Sequence, residues 1–261
     1  MKYAILQIVF FVVLLFTQSI FAQSEEAAMF FNKAKSCFES GDYDKALFFT
    51  EQIMGTTTAS TQQYIAAAIL AGDIEYSLKK YASSVHFYLQ AAGKIPAEDE
   101  QALIKLNYKI GLLYRDWGAY EKAEKYFTDV IVISTQKAIP IKNDVYENLA
   151  YCQYGQKKYN QALANYEKAL DFLLQNKQYE DSYFLFQRLL VTSKESNQFE
   201  KAEEYTQKLL TVAQQTANKR WEMTALNNLA YLQIKKGDIQ KASDLLNKAT
   251  ENYQKLNTKE E

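Results

Sequence analysis

The chain has 261 residues and a formal net charge of −1, with cations and anions interspersed along its length; this excludes the basic footprint of a nucleic-acid binder and the polybasic patch of a membrane-surface protein. With 48% hydrophobic and 23% charged residues the chain is not disordered, and 8 Gly and 2 Pro against 20 Tyr and 15 Phe exclude a turn-rich sandwich or barrel. An all-α protein with ample core material remains.

At the N-terminus Lys2 precedes an apolar run from Ala4 to Phe16, broken only by Gln7. Thr17, Gln18 and Ser19 follow, then Ile20, Phe21 and Ala22. This order of charged, apolar and small residues predicts a secretory signal peptide over 1–22, cut between Ala22 and Gln23, and hence a periplasmic or secreted protein. Ile20, third before the cut, departs from the small residue usual there. The alternative is an uncleaved anchor, because Tyr3 to Ala22 matches the ~20 residues of a membrane span. Only in that case would the chain contact a membrane, since no later apolar run is long enough.

Downstream one motif recurs. It reads GDYDKALFFTEQI from Gly41, KKYASSVHFYLQAAGKIP from Lys79, GAYEKAEKYFTDV from Gly118, KKYNQALANYEKAL from Lys157, NQFEKAEEYTQKLL from Asn197 and GDIQKASDLLNKAT from Gly237. The small residues that anchor it are Ala46, Ser84, Ala123, Ala162, Ala202 and Ala242, separated by 38, 39, 39, 40 and 40 residues. A period of this length marks stacked two-helix repeats. The predicted repeats span 25–59, 62–96, 101–139, 141–176, 180–216 and 219–256, within one domain over 23–261.

Gly111, Tyr114, Gly118, Tyr120, Ala123 and Phe127 in the third unit resemble the tetratricopeptide repeat. So do Gly72, Tyr81, Tyr88, Ala91 and Pro96 in the second, and Leu149, Ala150, Tyr159, Ala162, Tyr166 and Ala169 in the fourth. The resemblance runs from about Glu25 to Leu256, with Val130 where the family usually has alanine. It implies an all-α, right-handed superhelical solenoid of about six helix-turn-helix repeats. Units four and six also share a first-helix string, from Asn148 to Gln153 and from Asn228 to Gln233.

Small residues at Gly72, Gly111, Ala150 and Ala230 are expected to let each first helix approach its own second helix closely. Gly41, Gly118, Gly237 and Asn197 stand at turns, where a left-handed backbone is cheap for Gly and tolerable for Asn. Lys79 and Lys157 hold that place in units two and four, so those turns are expected to differ. The period exceeds the family's roughly 34 residues, and extra helical turns are expected to account for it. Gly55 and Gly93 should cap the second helices of the first two units, and later second helices should run longer.

In the family, first helices line the concave face where ligands usually bind. The matching positions are Phe31, Lys35 and Phe38; Ile69, Asp73 and Tyr76; then Tyr108, Leu112 and Arg115. The second half supplies Glu147, Tyr151 and Tyr154; Gln187, Val191 and Lys194; then Asn227, Tyr231 and Ile234. Such an aromatic groove of mixed charge suits an extended or helical peptide. Tyr108, Tyr151 and Tyr231 stand out because Ile110, Leu149 and Leu229 already supply the apolar face, although tyrosine also fills gaps between hairpins. The Lys and Asn arrangement of the family's clamp for carboxyl-terminal peptides is not found.

Reactive residues are sparse. His86 has no partner carboxylate or cysteine in its own turn, and Cys37 and Cys152, in units one and four, read as small buried residues too far apart to bridge. No GxSxG, HExxH, P-loop or paired CxxC occurs, so no catalytic residue, metal site or cofactor is expected. The expected function is an exported, non-catalytic scaffold for a protein or peptide. The alternative is a periplasmic sensory module of a signalling system, standalone or cut from a repeat-containing sensor kinase. The last helix, Gln240 to Leu256, is expected to leave Leu245, Leu246 and Ala249 partly exposed, which predicts self-association or docking at that end.

Overall fold

A computed structural model describes residues 25–57 and 59–257; the predicted signal segment over 1–22 lies outside them. The described residues form twelve α-helices and no strand. These are α1 over 25–39, α2 Tyr43–Gly55, α3 Thr61–Ser77, α4 Tyr81–Ala92, α5 Glu100–Asp116 and α6 Tyr120–Gln136. They continue as α7 Asn143–Gly155, α8 Tyr159–Gln175, α9 Tyr179–Glu195, α10 Phe199–Gln215, α11 Lys219–Lys236 and α12 Ile239–Asn257. The chain divides into two compact units at the Gly118–Ala119 junction, one holding α1 to α5 and the other α6 to α12. Within each unit, helices consecutive in sequence pack against one another.

One turn geometry joins most of these helices. Gly41, Gly118 and Gly237 have φ of 80°, 79° and 83°, and Asn197 has 56°. Lys79 and Lys157, expected to differ, adopt the same left-handed backbone at 58° and 59°, as do Ala138, Lys177 and Ala217. The cause is the hydrogen-bond closure at the helix end. The next N–H reaches a carbonyl five residues back, as in Gln178 to Leu173 at 2.8 Å, Gln198 to Ser193 at 2.8 Å and Asp238 to Gln233 at 3.0 Å. From Lys157 onward the left-handed residue recurs every 20 residues, at Lys177, Asn197, Ala217 and Gly237. The 40-residue period is therefore two helix-plus-turn modules joined by like turns.

Because a left-handed backbone costs an L residue about 1–2 kcal/mol and glycine's extra unfolded-state entropy returns part of the gain, Lys157→Gly is expected to stabilise the C-terminal unit by about 0.5–1 kcal/mol. Gly237→Ala is expected to cost a similar amount. Urea denaturation of the two variants checks both signs.

From the third unit on the longer period comes from the length of the second helices, whereas the first two separations are filled out by linkers over 56–60 and 93–99. The second helices α6, α8, α10 and α12 have 17, 17, 17 and 19 residues, against 13 and 12 for α2 and α4. The shorter pair end where expected, but their glycines do not act by left-handed capping. Gly55 is the last residue of α2, and Gly93 caps α4 in the right-handed region at φ −68°.

Close approach explains the small residues. A Cβ built on Gly72 would lie 2.4 Å from the ring of Tyr88, and Ser84 donates from its hydroxyl to the Gly72 carbonyl at 2.7 Å. The anchors Ala46, Ala123, Ala162, Ala202 and Ala242 are all buried. Around them the C-terminal unit builds a core from Leu163, Tyr166, Leu185, Phe186, Tyr205 and Leu209. The N-terminal unit has smaller clusters about Ala34, Ala46 and Ile74 and about Ala27, Ile53 and Ala67.

The string shared by units four and six ends in a glutamine for a physical reason. Buried Gln153 donates to Glu124 on α6 at 3.0 Å, and buried Gln233 donates to Glu203 on α10 at 2.7 Å. Each glutamate also takes a lysine, Lys158 at 2.8 Å for Glu124 and Lys236 for Glu203. Burial raises the Glu124 carboxyl, but the donors outweigh it and hold it below the usual carboxylate range; for Glu203 the Lys236 hydrogen bond is the leading cause of the same shift. Each tie fixes a second helix to the first helix that follows.

Candidate functional site

Helical periodicity decides which side chains stay at the surface of α7, α9 and α11. On α7, Val145, Leu149, Ala150, Cys152 and Gln153 turn inward, leaving Glu147, Tyr151 and Tyr154 at i, i+4 and i+7 on the open side. On α9, Leu185, Phe186, Leu189 and Leu190 turn inward and leave Phe184, Gln187, Arg188 and Val191 outside them.

Between these helices lies a cavity of about 220 Å³. Tyr151 and Tyr154 line it from α7, Tyr166 from α8, and Gln187, Arg188, Val191 and Thr192 from α9. A wider concavity of about 500 Å³ adjoins it through Gln187 and Arg188, and reaches Glu147, Asp181 and Phe184. Arg188 stands at the junction. Its guanidinium carbon is 5.2 Å from the centroid of the Tyr151 ring, and its Nε is 3.3 Å from Glu147 Oε1. Burial pushes the Tyr166 hydroxyl above the ordinary tyrosine value, and the nearby Arg188 charge opposes this. The Gln187 amide nitrogen is buried with no hydrogen-bond partner among the described residues. It is a donor that an occupant or a water would satisfy.

The surface continues onto α11. Lys194 Nζ lies 5.0 Å from the Tyr231 ring centroid and Lys235 Nζ lies 5.6 Å from it. Asn227, Tyr231 and Ile234 are exposed along that side of α11. Tyr151 and Tyr231 therefore each have a cation over the ring, an arrangement worth about 0.5–1 kcal/mol at exposed sites.

In the N-terminal unit the predicted positions are occupied differently. Asp73 accepts from Lys109 Nζ at 2.7 and 2.9 Å and from the Tyr88 hydroxyl at 2.6 Å. Tyr76 donates to Asp116, which also takes Arg115 Nε at 2.7 Å. Asp73, Tyr76 and Arg115 thus belong to a network that ties α3 to α4 and α5. Phe31 and Phe38 pack on the core about Ala34, Lys35 is exposed, and Tyr108 and Leu112 are half-buried.

Burial and the Asp116 hydrogen bond push the Tyr76 hydroxyl up to about 12. A raised folded-state value means that this stability is complete below pH about 10 and is lost as pH rises through about 12. Tyr76→Phe is expected to flatten the alkaline fall in urea midpoint over that window relative to the parent chain.

Spacing alone did not reveal Arg188, Tyr166, Thr192, Phe184, Lys109 or Lys235. The first of these had a signal, since Phe184, Arg188 and Val191 form their own i, i+4, i+7 stripe beside Gln187. Elsewhere, Cys37 is half-buried and Cys152 buried, and neither forms a disulfide among the described residues. His86 is exposed, its Nε2 2.9 Å from Gln90 Nε2. Among the described residues no helix is long and apolar enough to cross a membrane.

The tetratricopeptide repeat family models match residues 194–255, and residues 104–135 and 144–172. No curated protein matches the chain in sequence. Among solved structures, the chain is similar to a signal transduction ATPase with numerous domains from Pyrococcus horikoshii, described as having a tetratricopeptide repeat sensor. The TM-score is 0.70 at 20% identity, over 87% of this chain and 36% of that one. BtubC from P. vanneervenii gives 0.57 at 17% identity, over 91% and 92%. The apo form of RapI gives 0.61 at 12%, over 88% and 66%. The chain spans about a third of the length of the Pyrococcus ATPase.

Proposed function

Because this chain is a tetratricopeptide-repeat protein, we propose that it is a non-catalytic scaffold that holds a segment of a protein partner on the α7, α9 and α11 surface of its C-terminal unit. The observation that carries this reading is the cavity behind Arg188. At about 220 Å³ it is a side pocket of the wider concavity of about 500 Å³, which leaves room for the rest of a longer segment. It has the size for one apolar or aromatic side chain of a longer segment. Tyr151 and Tyr154 offer ring faces to such a side chain, and the Gln187 amide offers a donor to a backbone carbonyl beside it.

The test is recovery of partners from the exported fraction by the parent chain and by a Tyr151→Ala, Arg188→Ala double variant. Loss of a specific partner from the variant supports the groove; identical recoveries sink it. We place the protein in the periplasm or outside the cell, cut after Ala22. Sequencing the recovered protein from its N-terminus should begin at Gln23, and a chain beginning at Met1 would favour the membrane-anchored alternative.

A second reading, a sensory module of a signalling system, is favoured by the description of the Pyrococcus array as a sensor. A neighbouring reading frame that encodes a membrane span and a kinase would support it. Self-association concerns a different surface, the outer side of α12, and forms no part of the groove reading.

A further inference from the structure

Exposed apolar side chains on α12, Leu246 among them, come with nothing that selects an occupant, and Ala249, expected at the surface, is buried there. The groove over α9 and α11 differs, because charge accompanies its apolar surface. Lys194 of α9 and Lys235 of α11 both stand over the Tyr231 ring. Neither meets a carboxylate among the described residues. Acids are not scarce in this unit: Lys158 takes Glu124, Lys208 takes Glu204 and Lys219 takes Glu222. Lys236, next to Lys235, takes Glu203. Glu195, next to Lys194, lies instead near Tyr154 on the α7 side, whose hydroxyl is pushed up by burial and then by that carboxylate.

Two like charges held at one ring repel each other, and an exposed ring face attracts each of them only weakly. An anion between the two ammonium groups removes that repulsion and gains a charge-assisted hydrogen bond from each. The surroundings are apolar and open, since Tyr231, Ile234 and Val191 are 43%, 49% and 43% exposed. The cavity lined by Tyr151 and Val191 lies between α7 and α9. The lysines lie between α9 and α11, which meet through the stacked Tyr183 and Trp221 rings at 5.1 Å. One helix, about 10 Å across with its side chains, therefore separates the two places. An extended chain, advancing about 3.3 Å per residue, crosses that distance in roughly three residues.

We infer that the segment held by this groove is acidic. It crosses α9 in extended form, with an apolar side chain in the cavity beside Tyr151 and a side-chain carboxylate, roughly three residues away, held between Lys194 and Lys235. This rests on the groove reading and adds the partner's chemistry to it. Arg188 does not compete for the acid, because Glu147 neutralises it at 3.3 Å. The cationic end of the groove is thus the α11 end, which sets the end of the segment that carries the acid.

The test uses the full chain and an array of short random peptides fixed through their C-termini, so that no free terminal carboxylate is offered. The expected result is enrichment of Asp or Glu roughly three positions from an apolar or aromatic residue. Titrated in solution with its C-terminus amidated, the best such peptide should lose about tenfold in affinity with either Lys194→Ala or Lys235→Ala, and should weaken as salt rises. Lys194→Glu combined with Lys235→Glu should transfer the preference to a peptide carrying Lys in place of the acid. Circular dichroism checks that these surface variants stay helical. Bound peptides with no acidic preference, indifferent to both lysines yet lost with the Tyr151→Ala, Arg188→Ala double variant, overturn the inference and leave the groove reading standing. Acidic peptides that need the lysines but neither Tyr151 nor Arg188 overturn the groove reading and the register with it. An array with no binder, or binders indifferent to all of these variants, overturns both, as does binding to phosphatidylglycerol vesicles in place of any acidic peptide.

Discussion

Alanine at Tyr88 is expected to destabilise the N-terminal unit by about 3–5 kcal/mol, and alanine at Gly72 by about 1–3 kcal/mol. The Tyr88 ring is buried flat against Gly72, and its hydroxyl donates to Asp73, which also holds Lys109. Removing the ring leaves a cavity and takes one donor from a carboxylate that joins two helices. The Gly72 change acts from the other side of the same contact. Alanine improves helix propensity by about 1 kcal/mol, but its Cβ would sit 2.4 Å from two ring carbons, so α3 or the ring must move. Together the two changes should cost less than their sum, because the new methyl enters the space the ring has left. Gly93→Ala is the control. Its Cβ would meet only the Leu89 and Gln90 carbonyl oxygens, at 3.6 and 3.8 Å, and its backbone is right-handed, so no loss is expected. Urea unfolding of the four variants gives the comparison; a neutral Gly72→Ala would refute close approach as the reason for glycine there.

That contact was legible in the sequence, and its energetic partner was not. The repeat period, the small residues and the turn positions all follow from local spacing, which sequence displays directly. The turns at Lys79 and Lys157 were misread for an instructive reason: glycine preference at a left-handed position is a bias of about 1–2 kcal/mol, and a favourable helix-end closure can outweigh it at exposed lysines. Longer-range ties leave a fainter trace. Asp73 meets Lys109 36 residues on, and Tyr76 meets Asp116 40 residues on. Asp73, Tyr76 and Arg115 therefore look available in sequence but are engaged in the fold. The Gln153 and Gln233 strings were visible as repeats, yet their meaning depended on Glu124 and Glu203, 29 and 30 residues back. Arg188 leaves no trace in the repeat spacing, which marks about one residue per turn, whereas α9 presents both Gln187 and Arg188 to the cavity.

Arg188→Ala is expected to weaken partner capture by roughly 30-fold, the effect of losing a hot spot of about 2 kcal/mol. It should cost the fold little. The Arg188 and Glu147 side chains are 40% and 31% exposed, so their ion pair is worth about 0–1 kcal/mol. The effect on binding is larger because an occupant would desolvate both groups at once, and alanine would then leave Glu147 without its cation. Arg188→Lys should recover little of the affinity, since an ammonium cannot lie flat on the Tyr151 ring while also meeting Glu147 through a planar fork. Removing Glu147 together with Arg188 should recover more than the lysine variant does, because no unpaired carboxylate remains. Asp73→Asn supplies the opposite case. It loosens the Lys109 tie of the N-terminal unit and should lower stability without changing capture. Titrating the captured partner against these variants, with urea midpoints measured alongside, separates the two roles. If Asp73→Asn abolished capture and Arg188→Ala left it intact, the binding surface would belong to the N-terminal unit and the cation at position 188 would be a packing residue.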